Sequence, residues 1–407
     1  MPRRVEPGAS SFAAAVIAWQ ANSGRHDLPW QQSDDPYRIW VSEIMLQQTQ
    51  VASVLGRYER FLDRFPQVSS LAEAHLDEVL ALWSGLGYYS RARNLHACAR
   101  EVMDRHDGRF PRDVKALAAL PGIGRSTAAA IAVFSGGEAA AILDGNVKRV
   151  LTRAFALEGW PGHASVERQL WSLAESLLPL SADRQGWRRY TQGLMDLGAT
   201  VCTPKRPTCI RCPLATQCLA HARDQVDALP TPRPPREVPQ RQAHWALLLH
   251  CGQALLEVRS ARGIWGGLWS LPELIPPAAG PALRLHPDEV ARWSHARLTG
   301  TPWPLRVDRV ESAEIVRHVF THFRLQAQVW EIQLSAAASM GGPHERAHGP
   351  INTPGHEQAL EPPVQTLERL ESPSKNPIRS LPLTREAIHA APLATPVRAV
   401  LLARCQG

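Results

Sequence analysis

From Trp40 to Phe65 the apolar residues Trp40, Ile44, Val51, Val54, Leu55, Tyr58, Phe61, Leu62 and Phe65 recur at spacings of three and four. That period predicts one amphipathic helix with a single buried stripe, stopped by Pro66. The same spacing predicts helices starting near Phe12, across Leu71–Trp83 and across Arg91–Arg105, and no run of alternating β-branched residues interrupts them. Residues 11–229 therefore read as an all-α domain. Residues 230–241 hold five prolines and read as a stiff linker. Beyond them the pattern changes to period two. Strands are predicted at His244–Leu249 and Ala254–Val258, a helix over Asp288–Leu298, a strand through Arg317–Trp330 and a last helix over Thr395–Leu402. Residues 335–377 are rich in Pro, Gly, Ala, Ser, His and Glu with few large apolar residues, and are expected to be a flexible insertion. The second domain is α+β, assembled from 242–334 and 378–404.

Polar residues that break the apolar pattern carry the chemistry. Glu43 is a lone carboxyl at the edge of the Trp40–Phe65 stripe, where scarce water favours its protonated form. A neutral carboxylic acid there suits general-acid work, whereas an isolated Glu is ordinarily a solvated helix residue. Residues 116–131 predict two helices joined by Leu120-Pro121-Gly122-Ile123-Gly124. Gly122 and Gly124 lack a Cβ, so the turn's N–H groups and the start of the second helix could grip a DNA phosphate. An ordinary αα-hairpin would have the same appearance. Asp144 precedes the helical run Val147, Val150, Leu151 and Ala154, where an N-cap belongs. It could also stabilise positive charge on a sugar if the fold brings it near Glu43.

Composition narrows the class. The chain has 407 residues, 44% hydrophobic and 20% charged, as expected for a globular protein of two or three domains. No apolar run approaches a membrane span, and the start has no secretory pattern, so a cytoplasmic protein without a membrane partner is expected. A net charge of +7 permits nucleic-acid binding without demanding it. Cys202, Cys209, Cys212 and Cys218 fall within seventeen residues in the form C-x6-C-x2-C-x5-C. Inside a cell such a group reads as a metal or iron–sulfur site. Only one short-spaced pair is present, which favours a [4Fe–4S] cluster over zinc.

Taken together, the segments Trp40–Val51, Gly85-Leu86-Gly87-Tyr88-Tyr89, Leu120–Gly124, Leu143–Val150 and the four-cysteine loop resemble the MutY-type adenine DNA glycosylases of the helix-hairpin-helix superfamily. The resemblance covers 11–334 and resumes at 378–404, where the second domain is similar to a Nudix-like domain. It implies a monomer acting on double-stranded DNA and removing adenine mispaired with 8-oxoguanine or guanine. By the same resemblance Glu43 protonates the departing adenine, Asp144 stabilises the oxocarbenium-like sugar and Asn146 orients the site. Leu28, Trp30 and Gln192 form the adenine pocket. Gln48, Thr49, Leu86 and Tyr88 face the opposite strand, and Phe320, Thr321 and His322 meet 8-oxoguanine from the second domain. Thr321 replaces the family's usual Ser. The phosphate-binding hairpin is Gly122, Gly124 and Ser126, and the four cysteines hold the cluster. Ser126 stands where the related endonuclease III branch carries a Schiff-base lysine, so a monofunctional glycosylase is expected rather than a bifunctional lyase. Asp288-Glu289 is all that remains of a Nudix metal signature, so the second domain should bind and not hydrolyse.

Overall fold

The computed structural model describes residues 8–235, 237–278, 284–299, 301, 304–336 and 376–405. It divides into two compact units, the first ending at Arg236 and the second beginning at Glu237. The predicted insertion at 335–377 lies largely outside the described residues.

The first unit is helical: α1 Ala9–Ser23, α2 Pro36–Leu46, α3 Val51–Arg64, α4 Val68–Glu73, α5 Leu76–Leu82, α6 Ser90–His106, α7 Val114–Ala119, α8 Arg125–Phe134, α9 Gly145–Ala154, α10 Ala164–Ser176, α11 Arg184–Thr200 and α12 Leu219–Ala222. Phe12 and Val16 of α1, Val147 and Leu151 of α9, Leu170 of α10 and Leu197 of α11 are fully or almost fully buried in one core. Around α2 and α3, Trp40, Met45, Phe61, Phe65 and Trp83 are completely enclosed.

Two predicted helices are each divided. The stripe from Trp40 to Phe65 is carried by α2 and α3, not by one helix, because the chain turns at Gln47–Gln50 with Gln48 in the left-handed region (φ 55°). A tertiary contact drives the break. Arg91 Nη1 donates to the carbonyls of Ile44, Met45 and Gln47 at 2.9, 2.8 and 2.7 Å. In a continuous helix the first two of these carbonyls would serve the N–H groups of Gln48 and Thr49. Leu71–Trp83 is likewise split into α4 and α5, since His75 is extended and its ring accepts from Asp77 N–H as a cap.

The second unit is built on a mixed sheet of strands β1 Gln240–His250, β2 Gln253–Val258, β3 Trp269–Ser270, β4 Glu273–Ala278, β5 Leu305–Val319, β6 Arg324–Ala336 and β7 Ile378–Pro382. The main order is β3-β2-β1-β6-β5, with β4 beside β1 and β7 beside β2. Only β1 and β6 run parallel among these pairs. Helix α13, Pro287–Leu298, packs Val290, Trp293 and Leu298 with Leu248, Trp330 and Ile332 of the sheet. Helices α14 Arg385–Ala390 and α15 Thr395–Leu402 complete the unit. The strand predicted through Arg317–Trp330 is two strands, β5 and β6, joined by a turn at Phe320–Phe323. Phe320 stacks on Phe323 with centroids 4.5 Å apart, and Phe320 N–H returns to Phe323 O at 2.9 Å. Aromatic packing closes this hairpin without Gly or Pro.

Candidate active site

A cavity of about 1290 Å³ opens within the helical unit. Leu28, Trp30, Glu43, Asp144, Asn146 and Gln192 all line it, although the first and last are 164 positions apart. Gln48, Thr49 and Ser126 reach the same space, whereas Leu86 and Tyr88 do not.

Each carboxyl is placed by the helix that carries it. Helix α2 is started by Pro36 and by Asp35, whose side chain accepts from Tyr37 N–H at 2.9 Å. Its buried neighbours Ser42 and Ile44 hold Glu43 at the cavity wall, where part of its surface stays open to the space while protein atoms surround the rest. Burial, reinforced by the nearby Asp144 charge, pushes the Glu43 carboxyl up to about 8. This side chain is therefore protonated at neutral pH. Asp144 caps α9, with Oδ1 accepting from Val147 N–H at 2.8 Å and Oδ2 from Asn146 Nδ2 at 3.5 Å. Burial raises its carboxyl above the usual value, and the Val147 and Asn146 donors and the Arg149 charge oppose that rise. The Asp144 carboxyl thus caps α9 and lines the cavity at the same time.

Three supporting residues were not apparent from local pattern. Arg149 Nη2 donates to Asn146 Oδ1 at 2.9 Å and to Gly198 O at 2.7 Å, while its Nε donates to Cys202 O at 2.7 Å. Gly198 allows α11 to meet the start of α9 directly. Arg91 completes its set by donating from Nη2 to Thr49 Oγ1 at 3.0 Å and to the carbonyls of Leu86 and Gly87 at 2.9 and 3.1 Å. It thereby fastens the turn after Glu43 to the loop bearing Tyr88. Tyr88 is 46% exposed and left-handed (φ 47°), between Gly87 (φ 69°) and the start of α6, so the loop holds an aromatic ring out into solvent at a conformational cost.

At the hairpin, Gly122 (φ 75°) makes the turn between α7 and α8, and an added Cβ would lie 2.6 Å from Asn94 Cβ. Gly124 caps α8 with no side-chain bond and open space around it, leaving N–H groups of the first turn available to an anion. Ser126 Oγ accepts from Leu143 N–H at 2.9 Å, tying α8 to the residue before Asp144.

The four clustered thiols line one small cavity together with Arg153 and His221. Among the described residues, no three His, Cys, Asp or Glu side chains meet closely enough for a single metal ion. Burial pushes the Cys212 thiol up to about 12, a cost that a bound metal would reverse by holding the thiolate. Arg153 Nη1 reaches Cys202 Sγ at 3.4 Å and the carbonyl of Thr203 at 2.8 Å, so a cation already braces the loop. This donor set fits an iron–sulfur cluster.

In the second unit Phe320 packs against Trp265 and His318 with centroids 5.2 and 4.6 Å apart, and Thr321 Oγ1 lies 3.4 Å from His322 Nδ1. Thr321 and His322 are exposed. On α13, Glu289 is buried and its Oε2 accepts from His286 N–H at 2.7 Å, while Asp288 pairs with the His286 ring at 3.1 Å. Both acids serve the helix start.

Known proteins are similar to this chain. The model of the HhH-GPD superfamily of base excision DNA repair proteins matches residues 41–176, and that of the NUDIX domain matches 244–403. The adenine DNA glycosylase of Buchnera aphidicola subsp. Acyrthosiphon pisum is 37% identical over 262 residues, covering 64% of this chain and 74% of that protein. The adenine DNA glycosylase of Mus musculus is 34% identical over 392 residues, covering 82% of this chain and 73% of its own. A solved thermostable thymine-DNA glycosylase is 30% identical with a TM-score of 0.46, over 53% of this chain and 97% of that one. With two carboxyls in one cavity, and adenine DNA glycosylases at 34–37% identity matched across most of their length, the chain belongs to the adenine DNA glycosylases, the base-excision enzymes that remove adenine from DNA.

Proposed function

We propose that this glycosylase acts on adenine mispaired with 8-oxoguanine or guanine, as a monomer, by acid-assisted departure of the flipped base. The observation that carries the reading is Glu43, protonated at neutral pH in the cavity that also holds Asp144. Adenine leaves poorly as an anion, so a proton delivered to the ring lowers the barrier as the glycosidic bond breaks. Glu43 supplies it. The sugar left behind is oxocarbenium-like, and Asp144 stabilises it once ionised, a division of labour between two carboxyls as in glycoside hydrolysis. Asn146 and the Val147 N–H hold Asp144 in position. Leu28, Trp30 and Gln192 enclose a base taken out of the stack.

Gln48, Thr49, Leu86 and Tyr88 serve the opposite strand, with the exposed Tyr88 ring as the wedge that fills the space left by flipping. Phe320, Thr321 and His322 contact 8-oxoguanine. Gly122 and Gly124 bring backbone N–H groups to a phosphate, and Ser126 ties the α8 start to Leu143, the residue before Asp144. Ser126 offers no amine, which supports base release without strand cleavage. The second domain binds without hydrolysing, because Asp288-Glu289 is all that remains of a Nudix metal signature and Glu289 is committed to capping α13.

Cys202, Cys209, Cys212 and Cys218 would hold a [4Fe–4S] cluster. When bound, it would cross-link the loop and supply a one-electron couple. Freshly purified protein should contain iron and absorb in the charge-transfer region, whereas a colourless, zinc-filled protein would reverse this assignment.

The test of function compares duplexes with adenine opposite 8-oxoguanine, guanine or thymine. Base release without strand nicking, ordered 8-oxoguanine, then guanine, then thymine, is expected. Equal release from all three, or release of oxidised pyrimidine alone, would reject the reading.

A further inference from the structure

We infer that Trp265 is a positioning residue for reading the base opposite the excised adenine: its ring, carried on a braced and strained loop, sets where the Phe320–Phe323 turn holds Thr321 and His322. This rests on the reading of that turn as the 8-oxoguanine contact and names what orients it.

Trp265 has a left-handed backbone (φ 52°), a conformation that a bulky side chain adopts only at a cost. The loop around it imposes that conformation. Arg259 Nε donates to Ile264 O at 2.9 Å and its Nη1 to Glu273 Oε1 at 2.8 Å, while Gly267 N–H returns to the carbonyls of Arg259 and Ser260, both at 3.2 Å. At Gly266 an added Cβ would lie 2.4 Å from Ala261 O, so the loop closes on its own backbone directly after Trp265. The half-buried indole meets the core through the fully buried Trp245, with ring centroids 6.0 Å apart. It meets the turn through Phe320 and His318, at 5.2 and 5.6 Å. All three separations are those of interacting aromatic pairs.

Thr321 and His322 are exposed, so the residues on either side of them decide where they stand. Phe323 is completely buried, with the Arg241 guanidinium 4.6 Å from its ring, and fixes one end of the turn. Phe320 at the other end is only half-buried, and Trp265 joins it to the core. The bases to be told apart differ by little. 8-Oxoguanine carries a hydrogen on N7 and an oxygen on C8, where guanine has a bare N7 and a C8–H. A hydroxyl and an imidazole can both donate and accept, but their bonds weaken steeply outside a narrow range of distance and angle. Discrimination therefore depends on how Phe320 is seated, and Trp265 seats it.

The experiment measures second-order single-turnover rates of adenine release opposite 8-oxoguanine and opposite guanine, and takes their ratio. Trp265→Ala should lower that ratio by about fivefold or more, the scale of one hydrogen bond lost, while release opposite guanine stays within about threefold of wild type. Trp265→Phe, which keeps a ring against Phe320, should restore the ratio to within about twofold of wild type. Added to the pair Thr321→Ala and His322→Ala, Trp265→Ala should lower the ratio no further, because it acts through those two side chains. A Trp265→Ala ratio within about twofold of wild type, even with both rates reduced, would overturn the inference and leave Trp265 a support of the fold. So would a further loss of full size in the triple variant. If the Thr321→Ala and His322→Ala pair itself leaves the ratio unchanged, the reading of the turn fails, and adenine excision stands. Should Trp265→Ala fail to fold, Trp265→Leu decides by the same criteria, since it keeps apolar contact with Trp245 but presents no flat face to Phe320.

Discussion

Gly198 of α11 stands directly against Asn146 at the start of α9: an added Cβ would lie 2.6 Å from the Asn146 Cβ and 3.0 Å from its Cα and carbonyl carbon. Two of those atoms are backbone, so relief requires the helix start itself to move. Asp144 caps that same start. Gly198→Ala should therefore displace the carboxylate and lower single-turnover adenine release by about 10- to 100-fold, the penalty of misplacing a reacting group by a fraction of an ångström to one ångström. Affinity for the mispaired duplex should change by less than about threefold, since that displacement scale applies to chemistry and not to the distant strand contacts. A parallel collapse of binding and release would show instead that Gly198 supports the fold as a whole.

Arg91 is the second structural hinge of the site. It is buried, makes six bonds to groups on two segments and lies over the rings of Trp83 and Tyr88. Arg91→Met would leave several buried carbonyls unsatisfied and should cost about 3–5 kcal/mol. Arg91→Lys keeps the charge but cannot present a planar fork to both segments, so it should recover less than half of the loss. Urea unfolding measures both. A lysine variant as stable as wild type would mean that charge alone, without the fork, holds the two segments.

These two residues also explain what could and could not be read from the chain. The apolar period located α2 and α3, and the N-cap pattern located Asp144, because each depends on neighbours within a few positions. The break at Gln47–Gln50 was hidden because its cause is a guanidinium more than forty positions away. Arg25 and Asp196 are separated by 171 positions and Arg149 and Cys202 by 53, so no local spacing signals either pair. The β5–β6 turn escaped for another reason. It is made of Phe, Thr, His and Phe, which look like strand residues until their rings are packed.

Glu43 links activity to stability. A carboxyl whose folded-state pKa is raised binds its proton more tightly in the native protein, so its burial costs nothing below the ordinary value near 4.5 and weighs increasingly against folding as pH rises toward 8. Glu43→Gln removes that charge while keeping the shape. The variant should release no adenine yet melt above the wild type at pH 8, with the two melting temperatures converging near pH 4. A variant that melts below the wild type at pH 8 would place the side chain in a stabilising contact instead.

The two carboxyls together set a bell-shaped pH dependence for the second-order rate of adenine release. Glu43 must be protonated, which places the upper limb near pH 8. Asp144 must be ionised, and its raised carboxyl sets the lower limb above its ordinary value of 3.8. Because the groups interact, each limb belongs to the pair and not to one residue. Arg149 separates them experimentally. Its charge lowers the Asp144 carboxyl and it also holds Asn146, which donates to Asp144. Arg149→Gln removes the charge, so the lower limb should move to higher pH while the upper limb, governed chiefly by burial of Glu43, stays in place. If both limbs shifted together, or if only the plateau fell, Arg149 would be acting on the shape of the cavity and not on the charge of Asp144.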